Sequence, residues 1–367
     1  MGNEPGGFME YREDDAESAF GFDGTWREFA PIAFTNLLLT IVTLGIYRFW
    51  ATTRARQYLW SRTRFVDERL EWAGTGLELF IGFLLVMLLF GIPYFILSFV
   101  TESLMLRGQT ALAIALTLGC LLAIYYLFGL ARYRALRYRL SRTHWRGIRG
   151  GSDDPGFGYG LTYMWKTVVG WLPFGLAVPW SMTSLWNDRW NRLSFGPFAF
   201  EAEAAPSGLM GRYLLFYLAP IVLFVLIGAI GVAAIRSGAQ TGGAAAAGVA
   251  LTVVAGILVF YVVLGVIALA YYAKFFREAV GSLRWRNLEF AFDASTKDWL
   301  VLFLGDIALV VCTLGVGIIF LTYRHWKFFA THMQASGEIL LDELTQSQTK
   351  MASQGEGLLD AFDIGAI

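Results

Sequence analysis

Four near-continuous apolar runs dominate the pattern of the chain: Leu77 to Phe99, Ala111 to Leu130, Tyr213 to Ile235 and Gly248 to Tyr272. A helix rises 1.5 Å per residue, so about 20 residues cross a hydrocarbon layer of roughly 30 Å. Each run is long enough. Lipid offers no partner to backbone N–H and C=O groups, so a crossing segment must satisfy them within itself, as a helix does. Three further apolar stretches are of marginal length and broken near the middle, at TLGIY from Thr43, WLPFG from Trp171 and TLGVG from Thr313. Capping pairs mark helix starts at Thr25 with Glu28, Thr75 with Glu78 and Ser295 with Asp298. The pattern predicts an all-α integral membrane protein.

The broken stretches belong to a recurring arrangement. Phe20, Phe22, Asp23, Thr43, Leu44 and Gly45 align without a gap with Phe290, Phe292, Asp293, Thr313, Leu314 and Gly315. At a second offset Gly45 meets Gly175, Trp50 meets Trp180, Arg62 meets Arg192 and Phe65 meets Phe195. Internal repeats of this kind divide the chain into a disordered acidic N-terminus (1–19), a first unit with two long spans (20–156), a second with two more (157–289), a partial third (290–333) and a C-terminal tail (334–367). The tail is expected to be cytoplasmic and partly disordered, with a short helix at Ile339 to Leu344. The tract TGGAAAAG, from Thr241, reads as a flexible turn between two spans.

Charge decides between two topologies. Seven crossings divide the basic residues fairly evenly between the two sides. If the three broken segments instead enter and return, 29 basic residues fall on one side except Arg107 and Arg236. Cytoplasmic loops carry the basic excess, so the second partition is preferred: four long transmembrane helices plus three re-entrant or interfacial helical segments, with both termini cytoplasmic. Composition agrees with a membrane protein. It is 56% hydrophobic and only 16% charged, with mean hydropathy +0.52, where a soluble domain carries about a quarter charged residues. Met1 to Phe20 is acidic and lacks the apolar core of a cleaved signal peptide. Cys120 and Cys312 lie inside apolar segments, which argues against a stabilising disulfide.

Two constellations invite a functional reading. Segments leaving the membrane are rich in arginine and aromatic residues, with Trp50, Arg54, Arg56, Arg134, Arg137, Trp180, Arg192 and Trp285 as representatives. Such collars suit anionic headgroups, and they equally suit simple anchoring. Bilayer contact leaves these arginines unsuited to nucleic acid. After each collar, stretches such as RFVDERLEWAGTG alternate like a small β-hairpin or extended loop. The second constellation is a trio: Asn36, Lys166 and Asp306 take the same position in the three units, inside apolar stretches. An ionisable group at membrane depth costs about 2.5–3.5 kcal/mol and needs a partner or water. The trio could converge on a solute or proton path, with Lys166 facing Asp306, or each could be structural. His144, His325 and His332 lack companions at metal spacing, and no nucleophile elbow, P-loop or dinucleotide fingerprint occurs, so neither metal, cofactor nor catalysis is expected.

The order FGFDGTWREF, NLLLTIVTLGIYRFWATTRARQYLWSRTRF, EWAGTGLELFIGF and terminal GEGLLDAFD resembles the YjgN-like bacterial inner-membrane proteins, a family classed under domain of unknown function 898. The likeness spans nearly the whole chain and is densest between Phe20 and Phe83. The central unit departs from it, with PFGLA at Pro173 in place of TLGIY. The resemblance implies a multi-pass protein of the bacterial inner membrane and carries no catalytic residue. Two functional classes stay open: a transporter or channel-like protein with a polar intramembrane site, and a non-catalytic scaffold or anionic-lipid-binding envelope protein.

Overall fold

A computed structural model describes residues 19–236, 243–339 and 343–351. The disordered N-terminus expected over 1–19 lies outside them but for its last residue, and so do the chain end after 351 and part of the Gly/Ala tract. The chain starts in strand β1 (Phe20–Phe22) and enters α1 (Trp26–Val42) through Thr25, whose hydroxyl accepts from the Glu28 amide. At Thr43 it turns back. Helix α2 (Arg48–Ser61) then returns to β2 (Thr63–Phe65), which lies antiparallel against β1 with Phe20 opposite Phe65.

The same excursion recurs four more times. Strands β3 (Glu68–Arg69) and β4 (Glu71–Trp72) lead into a rod made of α3 (Gly76–Val86), a π-helical turn (Met87–Gly91) and α4 (Ile92–Leu106). The rod is answered by α5 (Thr110–Arg142), which ends in β5 (Thr143–Trp145), paired with β4. From β6 (Ile148–Gly151) the chain passes through α6 (Phe157–Trp171) and α7 (Val178–Trp190) to β7 (Ser194–Phe195), paired with β6. From β8 (Phe198–Ala202) it passes through α8 (Met210–Tyr213), α9 (Leu215–Arg236) and α10 (Gly243–Gly281) to β9 (Leu283–Trp285), paired with β8. From β10 (Leu288–Phe292) it passes through α11 (Thr296–Cys312), a 3-10 turn (Val316–Phe320) and α12 (Leu321–His332) to β11 (Met333–Gly337), paired with β10. Among the described residues five helical hairpins therefore stand on a layer of short paired strands, short and long in alternation.

That layer corrects the all-α expectation. Strands β4 to β11 form one eight-stranded curled sheet in sequence order, and β1 to β3 form a second of three strands. Outside hydrocarbon nothing obliges the chain to be helical, and short alternating segments pair there instead. On β10 the side chains alternate buried and exposed, with Leu288, Phe290 and Phe292 inward and Glu289 and Ala291 outward. Each neighbouring hairpin closes in a two-residue turn whose first residue has positive φ: Val66, Arg146, Gly196 and Arg286. Such turns match the right-handed twist of the flanking strands. The inward side chains form one core with the helix bases, including Phe65, Trp145, Phe200, Trp285 and Phe290. The first and last hairpins also meet, through stacked Trp60 and Trp326 (3.9 Å) and stacked Phe29 and Tyr323 (5.5 Å).

Among the described residues three helices, in Thr110–Arg142, Met210–Ala233 and Ala250–Gly281, are long and apolar enough to cross a membrane, where four were expected. The first expected span is divided into the shorter apolar helices Gly76–Val86 and Ile92–Leu106. Pro93, at the second position of α4, has no amide hydrogen for the preceding turn, and the π turn absorbs the defect. In the tail, the short helix expected at Ile339 to Leu344 falls largely outside the described residues. Met333–Gly337 is a strand, and Gln346 bridges the amide of Arg149 (3.1 Å) and the carbonyl of Gly147 (2.8 Å), so residues 343–351 lie against the β5–β6 turn.

Two outcomes test this layer. Trp285 is buried and donates to the Phe195 carbonyl (3.1 Å); Trp285→Ala is expected to cost about 3–5 kcal/mol in thermal or denaturant unfolding of the detergent-solubilised protein. At the start of α11, Ser295 and Asp298 form a complete capping box, and the Ser295 hydroxyl and amide hold the Asp298 carboxyl below the usual carboxylate range. A depressed carboxylate stabilises the fold at neutral pH, and that contribution is lost as pH falls through its folded-state value. Asp298→Asn should flatten the acid limb of the melting temperature against pH.

Candidate functional site

The three short hairpins share one tip. Their arms are joined by two successive residues of positive φ: Leu44 and Gly45, Phe174 and Gly175, Leu314 and Gly315. In the first, the Thr43 hydroxyl donates to the Leu39 carbonyl (2.7 Å) and accepts from the Tyr47 amide (2.9 Å), while the Gly45 amide reaches Thr40 (2.7 Å). Thr313 and Gly315 repeat these bonds in the last. The central tip lacks that threonine. There the Tyr213 and Tyr217 hydroxyls donate to the carbonyls of Gly175 (2.8 Å) and Phe174 (2.5 Å), so tyrosines from the next excursion supply what Pro173 and its neighbours cannot. The turn amides of the first and last tips are thereby bonded, yet the tip side chains are bare: Leu44, Phe174 and Leu314 are 93%, 90% and 95% exposed.

Below the tips sits the polar trio, and it does not converge. Asn36 donates to the Ala51 carbonyl (3.1 Å) and lies 3.5 Å from Arg54. Lys166 binds Ser184 and Asp188. Asp306 accepts from Arg324 (2.6 Å) and meets His325 (2.7 Å). Each residue on the outgoing arm finds its partner on the returning arm of its own hairpin, 18 residues on in all three (Arg54, Ser184, Arg324). The expected pairing of Lys166 with Asp306 is replaced by Lys166 with Asp188 and Asp306 with Arg324. The shared spacing follows from the shared tip, which sets the two arms at one register.

The collar residues divide. Arg56, Arg137 and Trp285 are buried within protein, with Arg56 over the Trp72 ring (5.0 Å), so these three do not face headgroups. Trp50 packs on Tyr47 and Phe80, and Trp180 on Trp165. Arg54 is held by Asn36 and by Tyr47 (3.1 Å), and Arg134 by the Pro155 carbonyl (3.0 Å). Arg192 pairs with Asp154 (2.5 Å) as its sequence counterpart Arg62 pairs with Glu28 (3.1 Å), each pinning the end of one hairpin to its start. In the first long hairpin Arg142 grips Glu78 through two nitrogens (2.7 and 3.1 Å). Among the described residues no group of histidines, cysteines and carboxylates could hold a metal ion.

One arginine escaped notice in the sequence. Arg189 is buried in α7 and lines a cavity of about 250 Å³ between α6, α7, α5 and α10. No motif singles it out; the available signal was Tyr159, Tyr163, Thr167 and Trp171, four apart along α6, all facing that cavity.

Comparison with known proteins matches the chain to a sequence family. The family described as "Bacterial protein of unknown function (DUF898)" covers residues 17–361. The chain belongs to the DUF898 family. This DUF898 chain is 30% identical over 139 residues to a protein named "Inner membrane protein YjgN" from Salmonella typhimurium (strain LT2), across 38% of this chain and 32% of that protein. It is 31% identical over 136 residues to the protein of that name from Escherichia coli (strain K12), across 37% and 31%. It thus aligns with about a third of the length of these curated relatives. No solved structure matches.

The pairing within hairpins makes a specific prediction. Lys166→Asp should destabilise the protein by on the order of 2 kcal/mol, less than the 3–5 kcal/mol of a fully buried pair because Asp188 is about a third exposed. Adding Asp188→Lys should restore most of the loss in thermal unfolding, whereas adding Asp306→Lys should deepen it.

Proposed function

We propose that this chain is a non-catalytic, multi-pass protein of a bacterial inner membrane that acts as a lipid-engaging scaffold. In this reading two long hairpins cross the bilayer and return, and three short hairpins dip into the leaflet beside the sheet. The observation that carries it is the set of three bare apolar tips, at Leu44, Phe174 and Leu314, on helices whose two ends join paired strands. A segment that crossed only once would set those strands on opposite faces of the bilayer, and hydrogen-bonded strands cannot be parted by hydrocarbon. A 17-residue arm such as α1 reaches only about 25 Å, and part of that is spent beside the sheet. Tips with hydrogen-bonded turns and exposed apolar side chains suit lipid.

The curated relatives are named as inner membrane proteins, which supports the membrane chosen here. The basic residues that crowd the sheet side support a cytoplasmic position for it and for both termini. A transporter would need a wet path through the polar trio; partners within each hairpin favour the scaffold. The matched turns, matched spacings and matched sheet pairings support an origin by internal repetition.

Cysteine labelling tests the topology. In a Cys120→Ser, Cys312→Ser background, an impermeant maleimide added to intact cells should label Gln109→Cys, between α4 and α5. It should spare Glu68→Cys and the tips Leu44→Cys, Phe174→Cys and Leu314→Cys. Opening the cells should expose Glu68→Cys. Periplasmic labelling at any tip would overturn the hairpin reading.

A further inference from the structure

The cavity around Arg189 is lined by cationic donors and by the hydroxyls of Tyr159, Tyr163, Thr167 and Ser181, and by no carboxylate. Arg189 is 4% exposed, its guanidinium lies over the Trp186 ring (5.4 Å), and among the described residues its Nε has no hydrogen-bond partner. The Trp186 Nε1 proton is likewise buried and unmatched. Both residues line the cavity, and so does Arg132. No carboxylate lines it; the nearby Asp188 is taken by Lys166. A buried guanidinium with an unmatched Nε and no carboxylate beside its charge is costly, and substitution by an apolar side chain would remove that cost. The missing component is an anion.

The walls say what kind. Helix α6 runs from its base at Phe157 to its tip at Trp171, and Tyr159, Tyr163, Thr167 and Trp171 line the cavity along some 18 Å of its length. On the returning arm Arg189 lies at the base and Val178 near the tip. Arginine therefore marks the end beside the sheet, and the walls turn apolar toward the tip. A second opening of about 390 Å³ shares Thr167 and Trp171 and continues past Leu172 to Tyr125 on α5. Together the two openings fall within the roughly 300–1,000 Å³ of ligand sites. A charged end joined to an apolar trough fits an amphiphile.

We propose that this cavity binds an anionic phospholipid, with its phosphate accepting hydrogen bonds from Arg189 and Trp186 beside Arg132, and an acyl chain along Thr167, Trp171 and Leu172. The site rests on the reading of α6–α7 as a hairpin within the leaflet. A lipid bound there would brace the short central hairpin against α5 and α10 of the two long ones.

The test uses delipidated full-length protein in neutral detergent, with thermal unfolding and native mass spectrometry as readouts. Dioleoyl phosphatidylglycerol should raise the melting temperature and remain bound, whereas dioleoyl phosphatidylcholine and inorganic phosphate should not. Arg189→Met should weaken phosphatidylglycerol binding about tenfold or more, since a charged hydrogen bond is lost. Without lipid the same variant should melt no lower than the parent, which a structural arginine would not allow. Arg189→Lys, which keeps the charge, should retain part of the binding. Equal binding of both lipids, or phosphatidylglycerol binding unchanged in Arg189→Met, overturns the site. An equal response to inorganic phosphate overturns the lipid and leaves a free-anion site. If phosphatidylglycerol is not preferred while Phe174→Cys stays protected in cells, the site fails and the topology stands; labelling of Phe174→Cys from the periplasm removes the ground for both.

Discussion

The strand pairing at the feet of the helices is the constraint on which everything else depends. In each of the five excursions the strand that precedes the helices is hydrogen-bonded to the strand that follows them: β1 to β2, β4 to β5, β6 to β7, β8 to β9 and β10 to β11. A ladder of this kind is indifferent to the length of the loop it closes, because closure entropy grows only slowly with loop length. The same foot can therefore carry an arm of 17 residues, as in α1, or of 39, as in α10. What the foot does not tolerate is a helix that ends on the other side. Short and long hairpins can alternate along the chain for that reason, and the basic residues gather where the feet are.

Inside each hairpin the same economy of position applies. Two residues of positive φ reverse the chain, and once the turn is set, the residue 18 positions later faces the polar side chain on the first arm. Charge is met within each hairpin, in the last by Arg324 at that spacing and in the central one by Asp188, one turn beyond Ser184. In the central hairpin the partner pair is lysine with aspartate, in the last it is aspartate with arginine, and in the first an asparagine with arginine. Sign is free to vary because each pair is self-contained. Had the three converged on one axis, their charges would have been coupled.

Apolar runs, helix caps and broken stretches were legible in the sequence because each is written within a few consecutive residues. The capping boxes at Thr75 and Ser295 and the breaks at Thr43, Trp171 and Thr313 stand where the pattern put them. The sheet was legible only in fragments. Strands of two to five residues, as in β7 and β8, are too short for alternation to speak, and β8 pairs with β9 some eighty residues away. Hydropathy rules describe chain inside lipid and are silent about chain outside it, which is why an all-α fold was expected. The trio was legible as a matched set, but its partners were not, since opposite charges suggested Lys166 with Asp306 before the hairpin register was known. In the collars, composition could not separate Arg56 and Arg137, which are buried, from residues nearer the surface.

Arg189 differs from the arginines around it in a way that bears on purpose. Arg142 has Glu78, Arg192 has Asp154, Arg324 has Asp306 and Arg62 has Glu28. Each of these bonds joins two parts of one hairpin, so the fold itself accounts for the charge. Among the described residues Arg189 has no such carboxylate, although it is more deeply buried than any of those four and a leucine would fill the same place without the cost of a desolvated cation. Its aromatic neighbours do not offset that cost, because a ring face returns only about 0.5–2 kcal/mol. Even buried Arg149, which has no carboxylate among the described residues, is held by the Thr349 hydroxyl and carbonyl. The case for a ligand at the central hairpin is therefore one of contrast: among the described residues Arg189 is a deep guanidinium with an unmatched Nε and no carboxylate beside it, at the base of a trough that can hold a headgroup.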